Sequence, residues 1–382
     1  MATWIAGGTV LAPGRRVEGG HVEIRDGIVV AVGAGLGAPG PGDEVIAAAG
    51  LLVAPGFVDT HIHGLAGYDA MAGADEVRGM ARELPRYGVT AFLPTLASAP
   101  RDELERLVGE LASQKPPGAR MAGLHLEGPF LDPGAPGMFA PEDFRPFDVD
   151  ELEALARAGD MALRVMTIAC HGERADSLAR INMAGIVPSL GHAAGTYADA
   201  KRSIDYGLTR CTHCFNAMTG IHHREPGIAG AMLVHDAVTA ELILDGVHVH
   251  PAMARLLLER KGAGGVALVS DAMPFAGLGD GEFAWRDYAI TVAGGAARTP
   301  AGNLAGSVLM LDTAVRNAVE YLDVPPEAAV EMASLTPARS AGLVDEHGIL
   351  ATGRRADVVL LDPNLNPVRT LVGGETIWIA EG

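Results

Sequence analysis

The chain has 382 residues, with 48% hydrophobic side chains and a formal net charge of −18. That length and apolar content make a folded chain with one large domain, or one large and one small; disorder is excluded, and the acidic balance argues against a nucleic-acid backbone as partner. No run of about 18 uncharged apolar residues occurs, so no membrane span is expected, and the start, Met1-Ala2-Thr3-Trp4, lacks the layout of a secretory signal. Three cysteines form no disulfide framework and fit a reducing cytoplasm.

Residues 3–54 read as short strands, Thr3–Val10, His21–Arg25, Ile28–Val32 and Val45–Val53, separated by Gly-rich turns. From residue 55 apolar runs alternate with amphipathic stretches. The runs are Phe57–His63, Val89–Thr95, Met121–Glu127, Leu163–Ala169, Ile186–Leu190, Thr209–His213, Glu241–Leu244 and Val266–Asp271. Ala74–Tyr87, Arg101–Ser113 and Ala252–Lys261 lie among them as helical segments. Eight β/α units predict an α/β fold of the (β/α)8 barrel type, with a doubly wound open sheet as the competing arrangement. Helical segments follow at 308–321 and 326–334. Strands then return at Asp357–Leu361, Thr370–Val372 and Thr376–Ile379, and complete the N-terminal β unit. The expected domains are a small β-sandwich from 1–54 plus 345–382 and a barrel over 55–344.

The first run ends in Pro55-Gly56-Phe57-Val58-Asp59-Thr60-His61-Ile62-His63-Gly64. A strand repeats every two residues, so His61 and His63 share a face and can share a metal ion. Taken alone, the pair also admits a blander reading as polar residues in a turn. Further candidates end other runs: Glu127 before Gly128-Pro129, His192 after Gly191, His213, and Asp271. His125 lies one layer deeper, where a supporting contact or packing is expected rather than ligation. Cys211 and Cys214 form a C-x-x-C that could be half a zinc knuckle or a redox pair, but no second C-x-x-C accompanies it; these and Cys170 are expected to be small core residues. Four histidines and two carboxylates at one end of one barrel suit metal-assisted hydrolysis, which needs N/O ligands, an open coordination position and a carboxylate to move protons.

The motifs PGFVDTHIHG (55–64), HLEGPF (125–130), GH (191–192), THCFNAM (212–218), HHREPG (222–227), DGVH (245–248), SDAM (270–273), LAGS (304–307), SLTPAR (334–339) and GRRADVVLLD (353–362) span nearly the whole chain. In kind and order they resemble the amidohydrolase superfamily, and within it the N-acetylglucosamine-6-phosphate deacetylases. That resemblance implies hydrolysis of an N-acetyl amide on an amino sugar phosphate. It implies one or two divalent ions per subunit, zinc before iron, cobalt or manganese. Glu127, His192 and His213 match the principal ligands, and His61 and His63 the pair that supports a second ion. Asp271 matches the catalytic aspartate. Arg224 and His248 match the groups holding the substrate phosphate, with Arg224 contributed across a homodimer interface. Asn216 and Ala217 match further substrate contacts; His222 and His223 could touch ligand or pack beside the dimer seam. One departure stands out. Phe139, in Pro136-Gly137-Met138-Phe139-Ala140-Pro141, falls where the resemblance calls for a histidine that reaches the acyl group, and His171 is a distant substitute. A different N-acyl amino sugar or N-acyl amino acid is therefore the alternative substrate. A ligand-binding protein without catalysis would instead show a broken ligand set.

Overall fold

The computed structural model describes residues 1–169 and 175–381; Cys170 and His171 lie outside them. Eight parallel strands form the barrel: β1 (Phe57–Ile62), β2 (Val89–Ala97), β3 (Leu124–Glu127), β4 (Leu163–Ile168), β5 (Val187–Leu190), β6 (Arg210–Cys211), β7 (Thr239–Leu242) and β8 (Val266–Leu268). They pair in chain order from β1 to β8. The open-sheet alternative is thereby set aside. Every residue of β2 is buried, as expected of a parallel strand covered on both faces. The rings of Phe57 on β1 and Phe92 on β2 are fully buried, and each contributes about 1.5–3 kcal/mol by leaving water.

No ladder joins β8 to β1. The seam is closed past the strand ends instead, where Asp271 N donates to His61 O at 2.9 Å and the amides of His63 and Gly64 donate to Ala272 O, each at 2.9 Å. This closure carries Asp271 beside the His-x-His pair.

The surrounding helices start where local chemistry dictates. In α1 (Ala74–Glu83), Asp75 and Glu76 occupy the first turn and Arg82 the last, opposing the helix dipole. Asp148 caps α2 (Val149–Gly159) by accepting from Glu151 N. Thr196 and Asp199 form a reciprocal capping box on α3 (Tyr197–Asp205). The expected segments at 308–321 and 326–334 are the helices Leu311–Leu322 and Pro326–Ala333, followed by Leu335–Ser340.

Both chain ends contribute to a second, eight-stranded sheet. Its long strand Thr3–Ala12 pairs in parallel with Glu44–Ala47 along its first half and with Leu52–Pro55 along its second. The expected single strand Val45–Val53 is thus two strands. Ile5, Val22, Val53, Val358 and Leu371 lie in a core separate from that of the barrel, and the sheet bends over it until Ile28 bridges Arg355. A three-stranded sheet, Gly281–Trp285, Tyr288–Ala293 and Ala296–Arg298, was not foreseen. Its strands alternate weakly and are mostly half exposed.

Inside the barrel Arg210 and Glu241 are both fully buried. Glu241 Oε1 accepts from Arg210 Nε at 3.1 Å and from Nη2. Arg210 also donates to Thr60 Oγ1 at 2.6 Å and to Ser340 Oγ. Removing one partner of a buried pair strands a charge, at a cost of about 3–5 kcal/mol. Arg210→Met should lower unfolding stability by about that amount in chemical denaturation; a loss under about 1 kcal/mol would show that the guanidinium is dispensable.

Candidate metal centre and active site

Glu127, His192 and His213 converge at the C-terminal rim of the barrel, where (β/α)8 enzymes place their sites. His192 Nε2 lies 3.2 Å and His213 Nε2 3.0 Å from Glu127 Oε1, and the two nitrogens are 3.1 Å apart. His61, His63 and Asp271 form a neighbouring cluster. Asp271 Oδ1 is 3.2 Å from His61 Nε2 and 3.4 Å from His63 Nε2, and His63 Nε2 reaches Glu127 Oε2 at 3.1 Å. The two clusters therefore share one wall. All six side chains are buried.

The strand-based picture needs correcting at three of these positions. His213 and Asp271 do not end their strands; β6 stops at Cys211 and β8 at Leu268. Likewise β1 stops at Ile62, one residue before His63. His192, His213 and Asp271 take the left-handed conformation, with φ of 46°, 28° and 49°. That region disfavours residues bearing a Cβ and is found where a site needs a side chain aimed off the regular path. Cys211 and Cys214 of the C-x-x-C are buried core residues, as expected.

The ring tautomers show what the cage is built to hold. His192 Nδ1 donates to Ala135 O at 2.9 Å and His63 Nδ1 to Thr95 O at 3.1 Å. Each ring therefore turns a bare Nε2 lone pair inward. Lone pairs facing a carboxylate oxygen at about 3 Å repel one another unless a cation or a proton lies among them. His61 Nδ1 is fixed by Glu241 Oε2 at 2.9 Å, and the same oxygen accepts from His213 N at 3.0 Å. A carboxylate that orients a histidine through its outer nitrogen is the usual support of a metal ligand. Imidazoles plus one carboxylate suit a zinc-like divalent ion, so the residues fit such a group.

His125 is not in the inner cage. It is fully buried, with Nε2 2.8 Å from Thr167 Oγ1 and Nδ1 3.4 Å from Thr95 Oγ1. Burial first, then the neighbouring His61, pushes its pKa well below the ordinary histidine value, so it remains neutral and packs beneath His61.

A cleft of about 250 Å³ opens onto the cage, lined also by Asn216, Ala217, His248, Phe139 and Met273. Asn216 Nδ2 donates to His213 O at 3.2 Å, and Ala217 takes φ 47°. His248 stands by Asp245, whose Oδ2 is 2.6 Å from its Nδ1. Arg224 does not line this cleft; it is exposed and contacts His223 Nε2 at 2.7 Å, with His222 and His223 equally exposed. Phe139 sits over the cage, its ring 5.3 Å from that of His192 and 6.4 Å from that of His63. Trp285, from the unforeseen sheet, lies 6.4 Å from Phe139 and is anchored by Asp69.

The sequence reading missed Glu241, Arg210, Thr95 and Trp285. Glu241 carried a usable signal: a carboxylate within the apolar run Ala240–Leu244 must find a buried partner. Thr95 acts through its backbone oxygen and gave none.

Residues 52–377 match the amidohydrolase family. The chain is 38% identical to an N-acetylgalactosamine-6-phosphate deacetylase of Escherichia coli O157:H7 over 85% of this chain and 87% of that protein. It is 35% identical to an N-acetylglucosamine-6-phosphate deacetylase of Vibrio furnissii over 85% and 83%. Among solved structures, a variant N-acetyl-D-glucosamine-6-phosphate deacetylase of Mycobacterium smegmatis in complex with N-acetyl-D-glucosamine-6-phosphate superposes with a TM-score of 0.91 at 36% identity, covering 98% of this chain and 99% of that one. The chain belongs to the amidohydrolase family, in the branch that holds the N-acetylglucosamine- and N-acetylgalactosamine-6-phosphate deacetylases.

Without a cation in the cage, its carboxylates hold protons on the rings. Burial lowers the pKa of His63, but Asp271 and Glu127 outweigh it and raise it to about 9. His61 is raised well above its ordinary value, the charges of Asp271, Glu127 and Glu241 overcoming burial. A histidine with a folded pKa above its unfolded value of about 6.5 adds stability below that pH, and the gain is lost as pH rises through the folded value. Metal-free protein should therefore lose melting temperature between pH 6.5 and 9.5. Metal binding displaces those protons, so metal affinity should rise across the same window. Calorimetric melting of metal-free and metal-loaded protein at the two pH values checks this; equal pH slopes for both forms would contradict it.

Proposed function

We propose that the protein removes the N-acetyl group from an amino sugar phosphate, N-acetylglucosamine 6-phosphate giving glucosamine 6-phosphate and acetate. The observation that carries this reading is the Glu127–His192–His213 cage with Asp271 on its wall, on the floor of a cleft whose side bears His248. We assign Glu127, His192 and His213 to a tightly held divalent ion, and His61 and His63 to a second, weaker one. Such an ion supplies Lewis-acid polarisation of the amide carbonyl and acidifies a water.

The chain's own groups do the rest. Asp271 takes a proton from the attacking water as the C–O bond forms, and returns it to the amide nitrogen as the C–N bond breaks. Its pKa is held low because His61 and His63 more than offset burial, so it begins as the base. Asp245 holds His248 through Nδ1, and we assign His248 Nε2 to a phosphate oxygen. Asn216 and the backbone at Ala217 border the sugar. Arg224 lies outside its own chain's cleft, which supports a homodimer in which it reaches the partner's phosphate as a bidentate donor.

An apolar roof supports a second reading. Phe139, Met138 and Met273 line the cleft, and an aromatic ring cannot donate to an acyl oxygen. A longer or different acyl group is then the preferred cargo.

Asp271→Asn keeps the shape and removes the proton acceptor. Acetate release from N-acetylglucosamine 6-phosphate should fall roughly 10²–10⁴-fold while metal content stays intact; turnover near that of the parent would sink the base assignment. Phe139→His restores a donor of a kind that can be worth about 3–4 kcal/mol in the transition state. It should raise kcat on this substrate if the acetylated sugar is the cargo. A fall in kcat, together with parental preference for another N-acyl compound, selects the second reading.

A further inference from the structure

At the opposite end of the barrel from the metal cage, a second concavity of about 460 Å³ is lined by Lys115, Arg120, Arg164, His347, Arg355 and Glu346. Arg164 stands at the N-terminal end of β4, and Arg120 beside the start of β3. His347 and Arg355 come from the segment that leads from the last helix into the terminal sheet. The cavity thus lies where barrel and sheet meet.

The charge balance here is the reverse of the chain's. Lys115, Arg120, Arg164 and Arg355 line it with a single carboxylate, Glu346, and the buried Asp357 lies beside Arg120. Glu346 Oε2 is engaged by Arg355 at 2.7 Å. Asp357 is engaged by His347 Nδ1 at 3.3 Å and by Gly373 N at 2.7 Å, while Arg120 Nε comes only within 3.7 Å of it. Among the described residues Arg164 has no hydrogen bond, and the Nε atoms of Arg120 and Arg164 are buried without an acceptor. Buried N–H groups without acceptors are rare in folded proteins.

Two glycines make room for the guanidinium side chains. A Cβ at Gly123, φ +134°, would sit 2.3 Å from Arg164 Cγ, and one at Gly373, φ +59°, would sit 2.5 Å from Arg120 Nη2. Any other residue would push one of the two arginines aside. Guanidinium forks suit tetrahedral oxyanions because they offer parallel N–H donors.

We propose that this cavity is a second anion site, taking a phosphate group of a small phosphorylated molecule on Arg120 and Arg164, with Lys115 and Arg355 at its margin. The site is remote from the chemistry and does not depend on which amide the cage hydrolyses.

Inorganic phosphate titrated calorimetrically into the metal-loaded protein tests it. Arg120→Gln with Arg164→Gln should weaken phosphate binding at this site at least tenfold, with kcat and KM for the acetylated sugar phosphate within twofold of the parent. An unchanged phosphate isotherm in that variant overturns the proposal. Should the variant fail to fold, the parent decides alone. Crystals of it soaked in selenate should show an anomalous peak between the Arg120 and Arg164 guanidinium groups, and the absence of that peak at saturating selenate overturns the proposal. A peak combined with an unchanged isotherm means an adventitious ion only, which also overturns it.

Discussion

One buried carboxylate sets the geometry of the site. Glu241 is enclosed in the barrel, where an unpaired charge would be prohibitive. Arg210 compensates one oxygen, and the other fixes His61 Nδ1 and the amide of His213. One side chain thus ties a ligand of each cluster to the interior. Its pKa is driven far down by Arg210 and His61 despite burial, so it stays anionic and can keep accepting both bonds. The cost is a dependence on Arg210, itself held by Thr60 on β1 and by Ser340 beyond the barrel. The barrel is thereby cross-braced directly under the two residue clusters.

Above that brace, function sits on backbone that departs from regular structure. His192, His213 and Asp271 all leave their strands in left-handed turns. Neighbouring hydrogen bonds over-determine these turns: Asp271 N donates to His61 O and Asp271 O accepts from Ser307 N at 2.8 Å. Strain held in this way aims Nε2 and carboxylate oxygens at one point instead of outward. The outer nitrogens of His192 and His63 donate to carbonyls and that of His61 is held by Glu241, so these rings turn Nε2 inward. A divalent ion meets that demand, and an apolar side chain could not.

Much of this was legible in the chain. Eight apolar runs alternating with amphipathic stretches gave the barrel because buried parallel strands carry no polar face. His61, His63, Glu127, His192, His213 and Asp271 were visible because ionisable residues stood at the ends of apolar runs. Boundaries were less legible. His213 and Asp271 were placed inside strands, since nothing in Cys211-Thr212-His213 or Ser270-Asp271 announces a positive φ on a non-glycine residue. The Gly281–Arg298 sheet was missed because its strands are short and half exposed, and Trp285 only gains meaning once it is seen near Phe139. Arg224 could be singled out by its motif, but the fold leaves it on the surface, outside the cleft.

The central claim is that this braced cage, loaded with a divalent ion, hydrolyses an N-acetyl amino sugar 6-phosphate. Metal-free protein titrated with zinc, with acetate release from N-acetylglucosamine 6-phosphate followed at each step, tests it most directly. The account predicts negligible release at the outset and a rise in proportion to metal up to one equivalent per chain. Full turnover by the metal-free protein, or a fully loaded protein that releases no acetate, would contradict it.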